Sequence, residues 1–236
     1  LNKIAVISDI HGNFPALKAV IKALESRSPD VWLCLGDLVG YGPNPAECIK
    51  LVRDMNMKCV LGNHDAGVIG KISLGVFRNP NRKLIQKAQE MLSHEDKEWL
   101  GNLPLTQKAE NNSWLAVHAS PKNPESWDYL DSAFKMRPLF TDLKQQICFI
   151  GHTHRPGIVS EQIGLKDFKS GHKYFINPGS VGQSRDDDLR ASCVFIDLEN
   201  FTYENIRVEY DLNKVLTDLE LMGFSKRERE HLMRIP

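Results

Sequence analysis

Residues 148–156 read CFIGHTHRP. His152 and His154 stand one residue apart, directly after an apolar run that closes on Gly151. A hydrophobic core has no use for two imidazoles there, whereas a metal ion or a proton-transfer step does. Other polar residues hold the same place relative to other apolar runs. Asp9 and His11 follow KIAVIS, Asp37 follows VWLCLG, Asn63 to Asp65 follow KCVLG, and His118 follows SWLAV. Carboxylates, an amide and imidazoles crowded together are costly unless an ion compensates them. Oxygen and nitrogen donors without cysteine suit borderline first-row ions such as manganese, iron, zinc, cobalt or nickel. Seven donors (Asp9, His11, Asp37, Asn63, His118, His152 and His154) exceed one tetrahedral zinc site. They suit two ions about 3.5–4 Å apart that share a carboxylate. Asp37, alone at the end of a strand expected to be central, is the natural bridge.

These donors converge only if the apolar runs are strands that end at one rim, as in open α/β sheets, where ligands gather outside the carboxyl ends. KIAVIS (3–8), VWLCLG (31–36) and KCVLG (58–62) read as buried strands. PALKAVIKALES, with Asn13 as N-cap, and PNPAECIKLVRDM (43–55) read as the intervening helices. The β-α-β-α-β order implies parallel strands. Further strands are expected over 113–120, 147–151, 174–180, 191–198 and 201–210. Helices are expected over 81–92 and 94–103, much of 131–146, and near 211–222 and 225–234. Residues 1–236 read as one domain, with 66–146 holding helical insertions that would cap the site.

Composition narrows the function classes. Thirty Lys and Arg balance thirty Asp and Glu, which argues against a non-specific nucleic-acid or anionic-membrane binder. The five cysteines are irregularly spaced and lie mostly in strand-like runs, so they read as reduced core thiols. No segment approaches the roughly 20 apolar residues of a bilayer span. The first apolar run meets Asp9 and His11 at once, unlike a signal peptide. Cytoplasm is the expected location.

Taken in order, Asp9-x-His11, Gly36-Asp37, Gly62-Asn63-His64-Asp65, His118 and Gly151-His152-x-His154 resemble the five motifs of the calcineurin-like metallophosphoesterases. The similarity extends through Asn177-Pro178-Gly179-Ser180. It implies a four-layer αββα sandwich of two mixed sheets flanked by helices. It also implies a ligand set: Asp9, His11, Asp37 and His154 for one metal; Asp37, Asn63, His118 and His152 for the other. His64 matches the family histidine that assists the leaving group. The expected activity is hydrolysis of small phosphodiesters or nucleotides by a metal-bridging hydroxide.

Gly40 and Tyr41 stand where the Ser/Thr protein phosphatases of this superfamily carry an Asp-Arg pair. Protein phosphatase activity is therefore not expected, and the chain looks more like the compact bacterial and archaeal phosphodiesterases. A phosphomonoesterase or dinucleoside polyphosphate hydrolase is the nearest alternative. A metal-binding interaction scaffold is another, as in the retromer subunit of this fold, which lacks the catalytic histidine. Tyr41 and Arg185 are candidate substrate contacts, with a salt bridge to Asp186, Asp187 or Asp188 as the competing role for Arg185. His94, His172 and His231 are assigned to the surface.

Overall fold

A computed structural model of the chain describes residues 2–165 and 167–235. The first half runs β1 (Lys3–Ile7), α1 (Phe14–Glu25), β2 (Val31–Cys34), α2 (Pro45–Asp54), β3 (Lys58–Cys59) and α3 (Asn63–Val68). Then come α4 (Asn81–Met91), α5 (His94–Gly101), β4 (Thr106–Lys108), β5 (Trp114–Val117) and α6 (Ala133–Met136). Next are β6 (Ile147–Phe149), β7 (Gly157–Ser160), β8 (Tyr174–Asn177), β9 (Ala191–Asp197) and β10 (Thr202–Val208). Helices α7 (Leu212–Leu221) and α8 (Lys226–Met233) follow.

The strands form two mixed five-stranded sheets, ordered β10-β9-β1-β2-β3 and β4-β5-β6-β8-β7. Strands β1, β2 and β3 are parallel, while β9 joins β1 antiparallel. In the second sheet β5, β6 and β8 are parallel. Alternation along each strand explains the layers. Ile4 and Val6 of β1 join Phe149 and Ile147 of β6 and Ile176 of β8 in the core between the sheets. Ala5 and Ile7 face the other way, onto Leu17 and Val20 of α1 and Ile49 of α2. On the far side, Cys148 and Phe175 pack against Met136 and Phe140. Strands covered on both faces read as unbroken apolar runs. The five cysteines are all buried and free.

Several expectations shift. The second strand is not central; β1 occupies the middle of its sheet. The long helix sought across 131–146 is only α6 plus a 3₁₀ turn at Arg137–Phe140. Pro138 lacks the N–H that a continuing helix needs. Strands β4 and β7, three and four residues of mixed polarity, carry no readable period. Asn13 does cap α1, accepting from the N–H of Ala16, and Ser93 caps α5.

The core between the sheets sets the strand ends, so truncating it should be felt globally. Phe149→Ala should lower unfolding free energy by about 3–5 kcal/mol. A urea titration showing less than about 1 kcal/mol would contradict this packing.

Candidate metal and active site

The rim forms where β1, β2, β3, β5 and β6 end. Asp9, His11, Asp37, His152 and His154 all sit in the left-handed region, with φ of 54°, 51°, 53°, 63° and 59°. Each such residue costs about 1 kcal/mol or more. The conformation turns consecutive side chains back over the strand ends, which extended backbone would not do. Backbone bonds hold the turns: Asp9 N–H donates to Gly36 O at 3.0 Å and His11 N–H to Asp37 O at 2.8 Å.

Asp65 ties two of these turns together. Its carboxylate accepts from the N–H groups of Asp37 (2.8 Å), Leu38 (2.8 Å), Val39 (3.3 Å) and Gly62 (3.1 Å). It thus serves the backbone rather than the neighbouring His64. Asp37 Oδ1 is likewise held by the His64 N–H at 2.8 Å, which leaves Oδ2 facing the rim.

The imidazoles are fixed by one repeated device. Nδ1 of His11 lies 2.9 Å from Val39 O, that of His118 2.7 Å from Leu35 O, and that of His154 2.6 Å from Gln183 O. A carbonyl can only accept, so each Nδ1 carries a proton and each ring turns its Nε2 inward. Nε2 of His11 and His154 are 3.1 Å apart. Nε2 of His118 lies 3.1 Å from Asn63 Oδ1 and 3.2 Å from His152 Nδ1. Asp37 Oδ2 sits between the two groups, 3.7 Å from His11 Nε2 and 3.4 Å from His118 Nε2. Asp9 Oδ1 is 3.3 Å from His154 Nε2. All seven residues expected at the rim are there, and His64 stands beside them.

This donor set fits cations. Lone pairs facing each other at 3.1 Å beside buried carboxylates need positive charge between them. Asp9 Oδ1, His64 Nδ1 and His152 Nε2 are buried without a hydrogen-bond partner. Three overlapping trios could each hold an ion with ligand atoms within 4.8 Å of one another: Asp9–His11–His154, His11–Asp37–His64 and Asp37–His118–His152. Burial pulls His118 down, but the Asp37 carboxylate overrides it and lifts the imidazole to about 10. A proton there supplies the missing charge. Burial holds His64 down at about 4 and His152 at about 3.

Other residues shape the rim beside the expected donors, and of these Ser8 and Tyr129 escaped sequence reasoning. Ser8 Oγ donates to Asp9 Oδ2 at 2.6 Å, and the His152 N–H donates to the same oxygen at 3.0 Å. Gly151 is needed because a Cβ would strike Ser8 Oγ and approach Asp9 Oδ2 to 2.9 Å. Gly40 (φ 141°) lets the chain pass the rings of His11 and His64; a Cβ there would strike the first and come within 2.6 Å of the second Nδ1. Tyr129 stacks on His152 at 4.1 Å between ring centroids. A signal for Gly40 did exist in the glycine-rich run GDLVGYG.

Arg185 forms no ion pair with Asp186, Asp187 or Asp188. Its guanidinium donates to the hydroxyls of Tyr41 at 3.0 Å and Tyr129 at 3.3 Å. Asp186 pairs instead with Arg207, and Asp188 with Arg190. A cleft of about 660 Å³ opens over the rim, lined by His64, Phe77, Trp127, Tyr129, His152 and Tyr41 among others. His231, expected on the plain surface, is exposed but lines this cleft too.

A family model described as calcineurin-like phosphoesterase matches residues 2–166. An uncharacterized protein of Methanocaldococcus jannaschii is 41% identical over 227 residues, covering 89% of each chain. A symmetrical bis(5'-nucleosyl)-tetraphosphatase of Actinobacillus pleuropneumoniae is 32% identical over 123 residues, which are 48% of this chain and 43% of that enzyme. Among solved structures, a metallophosphoesterase from Sphaerobacter thermophilus superposes with a TM-score of 0.83 at 33% identity, covering 98% of each chain. Among the described residues no helix is long and apolar enough to cross a membrane.

Asp65 is the readiest test of the rim's framework. Asp65→Asn turns an N–H pair toward backbone donors and should destabilise the fold by about 1–3 kcal/mol. Denaturant midpoints of the two proteins, with slopes unchanged, measure it; an unshifted midpoint would deny Asp65 its role.

Proposed function

The chain belongs to the calcineurin-like phosphoesterase family, and from that premise we propose that it is a dinuclear metal-dependent hydrolase of small phosphodiesters or nucleotides. One observation carries the reading: Asp37 Oδ2 lies within 4 Å of inward-facing Nε2 atoms on both sides, at 3.7 and 3.4 Å. Asp9, His11, Asp37 and His154 would hold one ion, and Asp37, Asn63, His118 and His152 the other. Bound cations of this kind supply Lewis acidity, polarising a phosphoryl oxygen and acidifying water near neutral pH.

The chain's own residues supply the rest. Arg185, anchored by two neutral phenols, keeps its charge available for a phosphate oxygen. His64 stands against Tyr41 and Phe77, with ring centroids 5.2 and 4.9 Å away. Burial holds its imidazole down at about 4, so the ring itself is neutral near pH 7. An anionic phosphate beside it favours the imidazolium, which can then donate a proton to the leaving oxygen. Trp127 and Tyr129 would take a base or aryl group in the cleft, and the segment 66–146, which supplies Phe77 and Trp127, would serve as its cap. We place the reaction in the cytoplasm, as part of one domain spanning the chain.

Two outcomes are expected. His64→Ala should lower kcat for bis(p-nitrophenyl) phosphate about 10²–10⁴-fold. Bound metal, read by elemental analysis, should stay constant; unchanged hydrolysis would remove His64 from the mechanism. Metal loading must also displace the His118 proton, because Nε2 cannot hold both. With His118 lifted to about 10, the ligating form gains as pH rises. Apparent Mn²⁺ affinity should climb about tenfold per pH unit between about 6 and 8, with about one proton released. Calorimetry in buffers of different ionisation enthalpy measures that proton. A pH-independent affinity would break the assignment.

A further inference from the structure

A second cleft, of about 730 Å³, adjoins the one over the rim, and Tyr41 and His231 line both. Its walls carry three guanidinium groups, from Arg155, Arg185 and Arg234. Except for Tyr41 and Arg155, its lining comes from residues 183–235, outside the span of the family match at 2–166.

The charge on these walls is left open. Arg155 uses its Nε on the carbonyl of Arg185 at 2.9 Å, which orients the fork and leaves its terminal nitrogens free of that bond. Arg185 is tied to Tyr41 and Tyr129, both uncharged donors and acceptors. Arg234 closes α8 in a left-handed conformation, φ 53°, and its side chain is exposed. Of the carboxylates at the wall, Asp186 is committed to Arg207 and Glu230 faces Lys226 at 3.8 Å. Asp187 alone among these described acids has no ion pair. Three planar cations against one free carboxylate make a site for a multiply charged oxyanion, since each fork matches two phosphate oxygens.

We propose that this cleft is a distal anion subsite, which takes the phosphates beyond the attacked one and makes nucleoside polyphosphates the preferred substrate class. The inference rests on the phosphoesterase reading above. The base lies among Phe77, Trp127 and Tyr129, the reacting phosphate at the rim, and the remaining chain passes Tyr41 and Arg185 into the second cleft. Hydrolysis then adds the oxygen of one water to the attacked phosphorus. The bond to the bridging oxygen breaks, and that oxygen leaves with the electron pair and takes up a proton. Arg185, touching Tyr41 from the distal side, is the hinge between the two subsites. A volume of about 730 Å³ suits a charged chain rather than a single ion, which would leave most of it to solvent.

The test compares the wild type with the double variant Arg155→Ala/Arg234→Ala, whose exposed side chains can be removed without opening the core. The substrates are adenosine 5'-tetraphosphate and bis(p-nitrophenyl) phosphate, which has no distal phosphate. The KM for the tetraphosphate should rise about tenfold with kcat within about twofold, while the diester kinetics stay unchanged. Equal losses on both substrates, or no change on either, would overturn the subsite. If the wild type hydrolyses neither, the phosphoesterase reading fails, and calorimetry decides the subsite alone. Inorganic tripolyphosphate, with Mg²⁺ in excess, should bind the wild type about tenfold more tightly than the variant. Equal binding would overturn the subsite on that measurement too.

Discussion

Everything at the rim depends on where three imidazole protons go. His11, His118 and His154 each donate the Nδ1 proton to a main-chain carbonyl, so three Nε2 atoms point inward together. The carbonyls of Leu35 and Val39 flank Asp37 on the same chain segment, so that segment both orients two rings and supplies the carboxylate they face. Gln183 orients the third ring from beyond β8. Rotating any ring would lose a buried hydrogen bond and leave a carbonyl unpaired, a cost of about 1–3 kcal/mol. The site is thus organised by the chain's own hydrogen bonds, and its donor set suits positive charge.

That organisation is maintained against local strain. Five rim residues occupy left-handed backbone, and a buried carboxylate, Asp65, spends itself on four backbone N–H groups to hold the loops after β2 and β3. Strained backbone concentrated at one place, and stabilised from several directions, is the pattern of a functional site. The sandwich makes it affordable. Strands covered on both faces by the cores around Phe149 and Leu17 do not shift when their ends are bent.

The strands and the convergence of polar residues were legible because two-sided burial writes itself as unbroken apolar runs, and each run ends in a chemically conspicuous residue. Asp9, Asp37 and His152 announce themselves in this way. What the sequence did not disclose has physical reasons. The roles of Ser8 and Gln183 depend on a single oxygen reaching across the fold, one onto Asp9 and the other onto His154. Asp65 directly follows His64 in sequence, but the helical turn of α3 carries its carboxylate back to the loop after β2. The aborted helix after Ser132 turned on Pro138, and β4 and β7 were too short and too polar to show a period. The partner of Arg185 could not be read either, since three acids follow it in sequence whereas its partners, Tyr41 and Tyr129, are remote.

The placement of Arg185 also separates two tasks within the chain. The seven rim donors lie between Asp9 and His154, on strand ends fixed by the two sheets. Arg185, His231 and Arg234 come later, from the loop after β8 and the end of the chain's last helix. The two parts are joined at Gln183, whose backbone carbonyl orients His154 while its side-chain amide donates to the carbonyl of Leu232 in α8. One residue therefore links an inward-facing imidazole to the helix that carries the outer arginine. A shift of α8 that pulled on Gln183 would also turn His154, whereas substitutions on the outer face of α8 would leave that linkage intact. Charge on the outer cleft can thus vary while the rim stays fixed, because the two are joined through the backbone and amide of Gln183 and not through the arginines themselves.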